Sequence, residues 1–569
     1  MRHNFKRLLF CLLLTAGLTA LLGAQTNVLT ARNDISRDGW NSKETVLNQN
    51  NVNRATFGKI CSAVVDGQLF AQPLVVSKGG KNIVYVGTMN GSVYAIDGGN
   101  CSQLSHVSLI PPNEEPVQCA DLAFGHCTII KPIIGILSTP VIDTSTHTIY
   151  VSIETESTSS SCQTNRSDSC FIHRLHALDL TTLAEKFQGP AVISGKYGSA
   201  TFTSHDHIQR PGLLELPGAM PNGDSAIYLA FSAIAGFGKP GQSIPQGWVF
   251  GYDAQNLAAA PLAWSSTPNG EGGGMWQSGS GLAAGIDAPH GNMFLYVATG
   301  DGTFDVNTGG QDYGDSFVKL TPSLTTVPNG YFTPFNQACL NPEDLDFGSG
   351  GIMLTPNVTS NFYAITGSKS GVVFVMNRAN PGGYTPPTNQ TCPATGSNAN
   401  QEYFQGSSRQ YFTTPAYWNL HLYYVPNQSP LSRYKLSLKC NPGPVCTTGA
   451  ATTAFKFGVG TLPAISSGGN SSGTAIVWAA SGNGWPGSSQ NPAPAVLYAL
   501  DAEHGNSGTV PELWDSTQCP TRDQPGNATK FVVPTIANGM VYLGTMDPTD
   551  SNNTRGELDV FGLTNAPCN

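Results

Sequence analysis

"VYVGTMNGSVYAIDGGN", Val84 to Asn100, sets two short alternating runs around a Met-Asn-Gly turn and closes on Asp97 before two glycines. Period-two alternation bounded by Gly and Asn reads as a tight β-hairpin. The same plan returns along the chain. It reads "IYVSIET" with "LHALDLTT" from Ile149, "IYLAFSAI" with "WVFGYDAQN" from Ile227, and "LYVATGDGTF" with "DSFVKLTP" from Leu295. "FYAITGSKSGVVFVMNRAN" follows from Phe362 and a weaker "LYYVPNQSPLSRYKLSLK" from Leu422. The last two are "IVWAASGNG" with "VLYALDAEHG" from Ile476, and "VYLGTMDPT" with "LDVFGLT" from Val541.

Eight copies result, their starts 54 residues apart at the closest (422 to 476) and 78 at the widest (149 to 227). Each interval has room for four short strands and a loop. Radial repetition of four-stranded sheets protects strand edges, so the pattern predicts an all-β, eight-bladed β-propeller. "FGKICSAVVDG", from Phe57, is expected to supply the missing outer strand of the last blade and close the ring. Separate sandwiches would need Pro- and Ser-rich linkers, which do not stand out. A solenoid would have shorter repeats, about 20–45 residues.

Composition supports this reading. Sixty-four glycines and 39 prolines punctuate a chain in which only 11% of residues are charged. The net charge of −9, with no basic stripe to neutralise phosphates, argues against a nucleic-acid partner. Arg2, Lys6 and Arg7 precede the apolar run "LLFCLLLTAGLTALL", and small residues Gly23 and Ala24 follow it. That describes a secretory signal peptide over residues 1–24 better than a membrane span. Residues 25–569 are then expected to form one propeller domain, secreted or periplasmic, with no membrane span after signal removal.

Of 13 cysteines, Cys11 lies in the signal segment, which leaves twelve, an even number that suits an oxidising compartment. Cys119/Cys127, Cys162/Cys170 and Cys440/Cys446 are close pairs in loop-like sequence and the simplest local disulfides. No Cys-x-x-Cys occurs, so a zinc ribbon, a thioredoxin site and a covalently attached c-type haem are all unsupported.

The repeats resemble the pyrroloquinoline quinone (PQQ) propeller family: the quinoprotein alcohol dehydrogenases and the non-catalytic propellers that share their blades. The blade signature there is an Ala-x-Asp strand end, then Gly, then a docking Trp. Ala95/Asp97, Ala177/Asp179 and Ala499/Asp501/Trp514 match it in part, and "GYDAQNLAAAPLAW" keeps Asp253 and Trp264. The resemblance covers nearly the whole chain after residue 24. It implies the fold of a quinoprotein alcohol dehydrogenase, and function has to be argued from the site.

In the dehydrogenases a strand ending in Thr-Gly-Asn supplies a calcium ligand. Some forty residues on, a His-Asp-x-Trp-Asp segment ends in the catalytic Asp, and a Lys or Arg follows after another strand. By that resemblance "LYVATGDGTFD" puts Asp301 at the metal-ligand position, "CLNPEDLDFGSGG" puts Asp346 at the catalytic one, and "ITGSKSGVVFVMNR" puts Lys369 beside the quinone. Trp276, in "GGGMWQSGSG", is the candidate for the aromatic floor under the cofactor. The implied cofactors are PQQ and calcium without haem, and the implied substrate is a small alcohol, polyol or sugar. Asp346 would be the general base for the hydroxyl proton. Calcium would polarise the quinone carbonyl, and Lys369 would stabilise charge on the reduced ring.

Three departures stand beside these matches. The family's other calcium ligand is a Glu, and the corresponding "FSAIAGFGKPGQ" has no carboxylate. The adjacent cysteine pair over the quinone is missing, as is the haem motif. One alternative is therefore a binding or scaffold propeller with a protein partner, like the outer-membrane assembly lipoprotein. The other is a polysaccharide-cleaving propeller using Glu343, Asp344 and Asp346. Locally, Asp301, Asp305 and Asn307 could form a structural calcium loop. His205, Asp206 and His207 in "SHDHIQRP" could be a metal cluster but read more simply as a surface loop. "GFGKPG" matches a dinucleotide pattern only formally, because Pro240 and the missing βαβ context contradict it.

Overall fold

A computed structural model describes residues 25–122, 130–234, 244–358, 361–389, 391–398, 402–440, 443–482, 493–505 and 508–568. Eight antiparallel sheets form blades 1 to 8 in chain order. Each quoted strand pair makes the second and third strands of its own blade, from Lys81–Gly87 with Ser92–Asp97 in blade 1 to Met540–Met546 with Gly556–Leu563 in blade 8. Even the weak sixth copy does so, as His421–Tyr424 and Ser432–Leu436. The fold is an all-β, eight-bladed propeller of the quinoprotein alcohol dehydrogenase type.

Asp at the end of the third strand has a local cause. Its carboxylate accepts backbone N–H groups two and three residues on: Gly99 to Asp97, Thr181 and Thr182 to Asp179, Glu503 and His504 to Asp501. This side-chain turn reverses the chain into the fourth strand. Trp264 and Trp514 then enter buried clusters between successive blades.

Closure follows the expected route. Phe57–Val65 is the outer strand of blade 8, antiparallel to Gly556–Leu563, with Phe57 opposite Leu563 and Val65 opposite Gly556. The Cys61–Cys101 disulfide ties that strand to blade 1, and Cys519–Cys568 ties the C-terminal segment back to the end of blade 7.

Expected bridges Cys162–Cys170 and Cys440–Cys446 form, and Cys339–Cys392 completes five described pairs with Cα separations of 5.1 to 5.9 Å. Cys119 is disulfide-bonded, and Cys127 lies outside the described residues, as does the signal segment. Five bridges suit an oxidising, extracytoplasmic compartment. Among the described residues no helix is long and apolar enough to cross a membrane.

The feature absent from the sequence reading is the segment before the closing strand. From Val28 to Asn41 the chain circles the axis and bonds the inner strand of one blade after another. Val28 pairs with Val75 of blade 1, and Leu29 accepts from Ile142 of blade 2. Ile35 accepts from Ala284, Ser36 from Leu354, Asp38 from Tyr417 and Gly39 from Ile465, in blades 4 to 7. Asn41 donates to Ile536 of blade 8. In each of these seven blades the contact is the second residue of the inner strand.

Two buried arginines complete the ring. Arg37 donates to Leu282 at 2.8 Å and Leu213 at 3.1 Å, and Arg32 to Pro415 at 2.7 Å and to Pro463. Replacing Arg37 by Met should strand these carbonyls and cost on the order of 3 kcal/mol. A urea midpoint equal to that of the parent would contradict this role.

Candidate functional site

The candidate residues sit on loops at one end of the ring, where inner strands begin and second strands end. Asp301 follows the strand Met293–Ala298 of blade 4. Asp346 precedes the inner strand Met353–Leu354 of blade 5, and Lys369 lies in the turn between Tyr363–Gly367 and Val372–Asn377. The ring of residues 28–41 crosses the same inner strands one residue into their length and lies beneath.

Asp346 is 1% exposed and fixed from three sides. Its Oδ1 accepts the Asp301 N–H at 2.9 Å, its Oδ2 is 2.6 Å from Lys369 Nζ, and its backbone O accepts the Lys369 N–H at 3.1 Å. The carboxylate presses so close to Gly300 that a Cβ there would lie 2.0 Å from Oδ1. That close approach is why the Thr-Gly-Asp strand end needs glycine. Lys369 Nζ also reaches Asp344 Oδ1 at 2.5 Å. Asp344 is exposed at the mouth and takes a left-handed φ of 52°, which Asp tolerates.

Oxygens of Asp301, Asp344 and Asp346 lie within 4.8 Å of one another. Asp301 Oδ1 is buried with no hydrogen-bond partner among the described residues. Burial first, then the charges of Asp346 and Asp315, push the Asp301 carboxyl up to about 10. Lys369 behaves oppositely. Burial opposes its charge, but Asp346 and Asp344 overcome that and hold the ammonium above its usual range.

Trp276 lies on the wall of a cavity of about 220 Å³, with Asp344 and Lys369 toward one side and Arg210, Lys530 and Phe531 also lining it. Arg210 and Lys530 flank the Phe531 ring at 4.7 and 5.0 Å from its centroid. Arg210 Nη2 is buried with no hydrogen-bond partner among the described residues. The cavity thus joins flat apolar surface to three cationic groups, which suits a planar anion.

Trp276 and Lys369 line the cavity, while Asp301 and Asp346 are buried behind it, joined to it through the Lys369–Asp346 ion pair. Asp301 turns toward Asp344 and Asp346, not toward Asp305, whose Oδ1 accepts from Asp312 N–H at 2.9 Å. "SHDHIQRP" holds no metal cluster: His207 is buried with its ring nitrogens facing the Thr203 and Gln246 carbonyls, and His205 Nε2 faces Asp121 O. The residue in that stretch that reaches the cavity is Arg210. Glu343 is exposed and outside the carboxylate group, which removes one acid from the polysaccharide-cleaving alternative. The residues 235–243, where the family's second calcium ligand would fall, lie outside the described residues.

Sequence reasoning missed Arg210, Lys530, Phe531 and Asp315. Asp315 accepts the Phe347 N–H at 3.0 Å, and burial pushes its carboxyl up to about 7. Arg210 lies before the inner strand of blade 3, Lys530 and Phe531 before that of blade 8, and Asp315 between the second and third strands of blade 4, none with a motif around it.

No protein-family model and no curated protein matches the chain. Solved structures do. Quinohemoprotein alcohol dehydrogenase from Comamonas testosteroni aligns at TM-score 0.53 and 14% identity over 97% of this chain and 82% of that one. A europium-containing methanol dehydrogenase aligns at 0.55 and 12% over 94% and 98%, and a quinohemoprotein alcohol dehydrogenase from Pseudomonas putida HK5 at 0.52 and 12% over 95% and 81%. These likenesses establish the fold.

Burial, then Arg210 and Lys369, lowers Lys530 to about 7. Below that pH the ammonium attracts an anion; above it the amine is neutral. Calorimetric titration with benzene-1,3,5-tricarboxylate should show affinity falling, by up to roughly tenfold, as pH rises through 7. Lys530→Met should remove the step. The sign for folding is opposite: from about 7 to the usual lysine range the unfolded chain binds the extra proton, so this group's contribution to stability grows with pH.

Proposed function

We propose that this chain is an extracytoplasmic quinoprotein dehydrogenase that oxidises an alcohol, polyol or sugar with PQQ and calcium. In this reading residues 1–24 direct export and 25–569 form the single catalytic propeller. The observation that carries it is the carboxylate cluster of Asp301, Asp344 and Asp346 tied by Lys369 to a cavity that Lys369, Asp344 and Trp276 line.

The residues fit the cofactors. Three carboxylates with an unpartnered, buried Asp301 Oδ1 suit a hard cation with oxygen ligands. Trp276, Phe412 and Phe531 offer flat surface, and Arg210, Lys369 and Lys530 offer charge for ring carboxylates. Asp301, with Asp344, would hold the metal, and Lys369 and Trp276 the quinone. When bound, these groups supply a two-electron acceptor and a Lewis acid.

The rest of the work falls to the chain. Asp346 takes the substrate hydroxyl proton on its carboxylate. Lys369 orients that carboxylate through Oδ2, and the Asp301 N–H holds Oδ1. Closure by the ring beneath the site leaves the substrate to enter from the loop end. Electrons leave to an acceptor outside the described site, since the sequence has no haem-attachment motif.

A binding or scaffold propeller with a protein partner is the second reading. It is favoured by the Lys369 ammonium, which pairs with both Asp344 and Asp346 without any cofactor, and by the absence of a carboxylate from Phe231 to Gln242.

Purified protein given PQQ and calcium should keep quinone absorbance after desalting and turn over primary alcohols with an artificial electron acceptor. Asp346→Asn should retain that absorbance and the parent's melting temperature, while turnover drops on the order of 10²–10⁴-fold. Equal turnover by the variant, or absorbance lost on desalting, would leave the scaffold reading in possession.

A further inference from the structure

A second set of buried polar atoms lies between blades 2 and 3, sharing no residue with the acidic site. Ser152 and Glu154 are two apart on the strand Thr148–Ser157, so their side chains leave one face of blade 2. Glu154 stands opposite His173 on the neighbouring strand. Gln209 arrives from blade 3, immediately after His207–Ile208. The four line one narrow pocket that has no room for a water molecule.

Each brings an atom with no hydrogen-bond partner among the described residues: Ser152 Oγ, both carboxylate oxygens of Glu154, Gln209 Oε1 and His173 Nδ1. All four residues are nine-tenths buried or more. The orientations are not accidental. Gln209 Nε2 donates to Pro211 O at 2.6 Å, which fixes the amide so that its oxygen is left over. His173 Nε2 is 3.3 Å from His207 O; a carbonyl only accepts, so Nε2 carries the proton, and it stands 3.6 Å from Glu154 Oε1, beyond hydrogen-bond reach. The rings of Phe231 and Phe202 pack against the imidazole at 5.1 and 5.9 Å. Glu156, next on the same face, is held by Arg166 at 3.2 Å and cannot serve the pocket's charge balance.

Buried polar atoms without partners are rare in native proteins, and a carboxylate is the costliest of them. Oxygen donors from a hydroxyl, a carboxylate and an amide select hard cations. Magnesium dehydrates reluctantly and keeps several waters, for which this pocket has no room. Zinc prefers a tetrahedron of nitrogen and sulfur donors, of which His173 Nδ1 is the single example here. We propose that Ser152 Oγ, the Glu154 carboxylate and Gln209 Oε1 bind one dehydrated hard cation of sodium or calcium size, a clip joining blade 2 to blade 3. A single carboxylate balances sodium completely and calcium by half.

The test uses the Asp301→Asn/Asp344→Asn/Asp346→Asn protein, so that no carboxylate of the acidic site remains. After chelation and gel filtration into choline chloride, melting temperature is read with added sodium, calcium or magnesium chloride. Retained calcium is counted after a second filtration. Melting temperature should rise with sodium or calcium and not with magnesium; one calcium per chain retained names calcium, and a response to sodium alone names sodium. Glu154→Gln, an isosteric change, should abolish the rise. Should that variant fail to fold, Ser152→Ala and Gln209→Met replace it, each weakening the ion at least tenfold. An equal rise in all these variants, or no rise with either ion in the parent, overturns the proposal.

Discussion

The structure depends on one set of backbone hydrogen bonds: those between residues 28–41 and the inner strands of the blades. Inner strands of a propeller are short and splay around an axis, so each leaves backbone groups facing a channel that its own sheet cannot satisfy. Here one irregular segment meets that demand blade by blade, at the second residue of the inner strand in seven of them, six through its backbone and blade 8 through the Asn41 side-chain amide. To follow the circle, Arg32, Asn33 and Arg37 adopt left-handed φ values of 60°, 74° and 61°. Such a conformation in Arg persists only where surrounding contacts over-determine it. The guanidinium groups of Arg32 and Arg37, both buried, provide those contacts through backbone carbonyls of other blades.

The floor so formed makes the site possible. With the inner strands fixed beneath, the loops that precede them in blades 3, 5 and 8 converge and bring Arg210, Asp344 and Lys530 to one cavity, with Asp346 buried behind Asp344. Blade 4 adds Asp301 from its second strand, and blade 5 adds Lys369 from its hairpin turn. The result is a cavity lined by Asp344 of the acidic cluster, by Lys369 bonded to it, and by Arg210 and Lys530. Acidity alone does not describe it, because burial pushes Asp301 toward the neutral form while Lys369 keeps Asp346 in an ion pair. A charge so arranged in low dielectric acts over a few ångströms with little screening.

Val84 to Asn100 reads as a hairpin because alternation, turn residues and a strand-ending Asp are local. The eight copies are legible because each blade must bury the same two faces. The closing strand from Phe57 is legible as a blade short of one strand. Asp301, Asp346 and Lys369 are legible by resemblance in order and spacing. Arg210 is not, since the histidines beside it draw the eye, and those turn out to hold backbone carbonyls. Lys530 has an unremarkable surrounding sequence, "NATKFVV", and only the ring of blades sets it beside Lys369, more than 150 positions earlier.

The sequence by itself determined what depends on neighbours along the chain: strand alternation, the side-chain turns at Asp97, Asp179 and Asp501, the number of blades and the close disulfides Cys162–Cys170 and Cys440–Cys446. Tertiary structure alone decided what depends on closure: the course of residues 28–41, the bridges Cys61–Cys101 and Cys339–Cys392, the cationic wall and the shared pocket of Glu154 and Gln209. The physical reason is range. A turn or an alternating strand is stabilised within a few residues, whereas a partner for Arg37 or a neighbour for Asp346 exists only once a ring has brought distant loops to one axis.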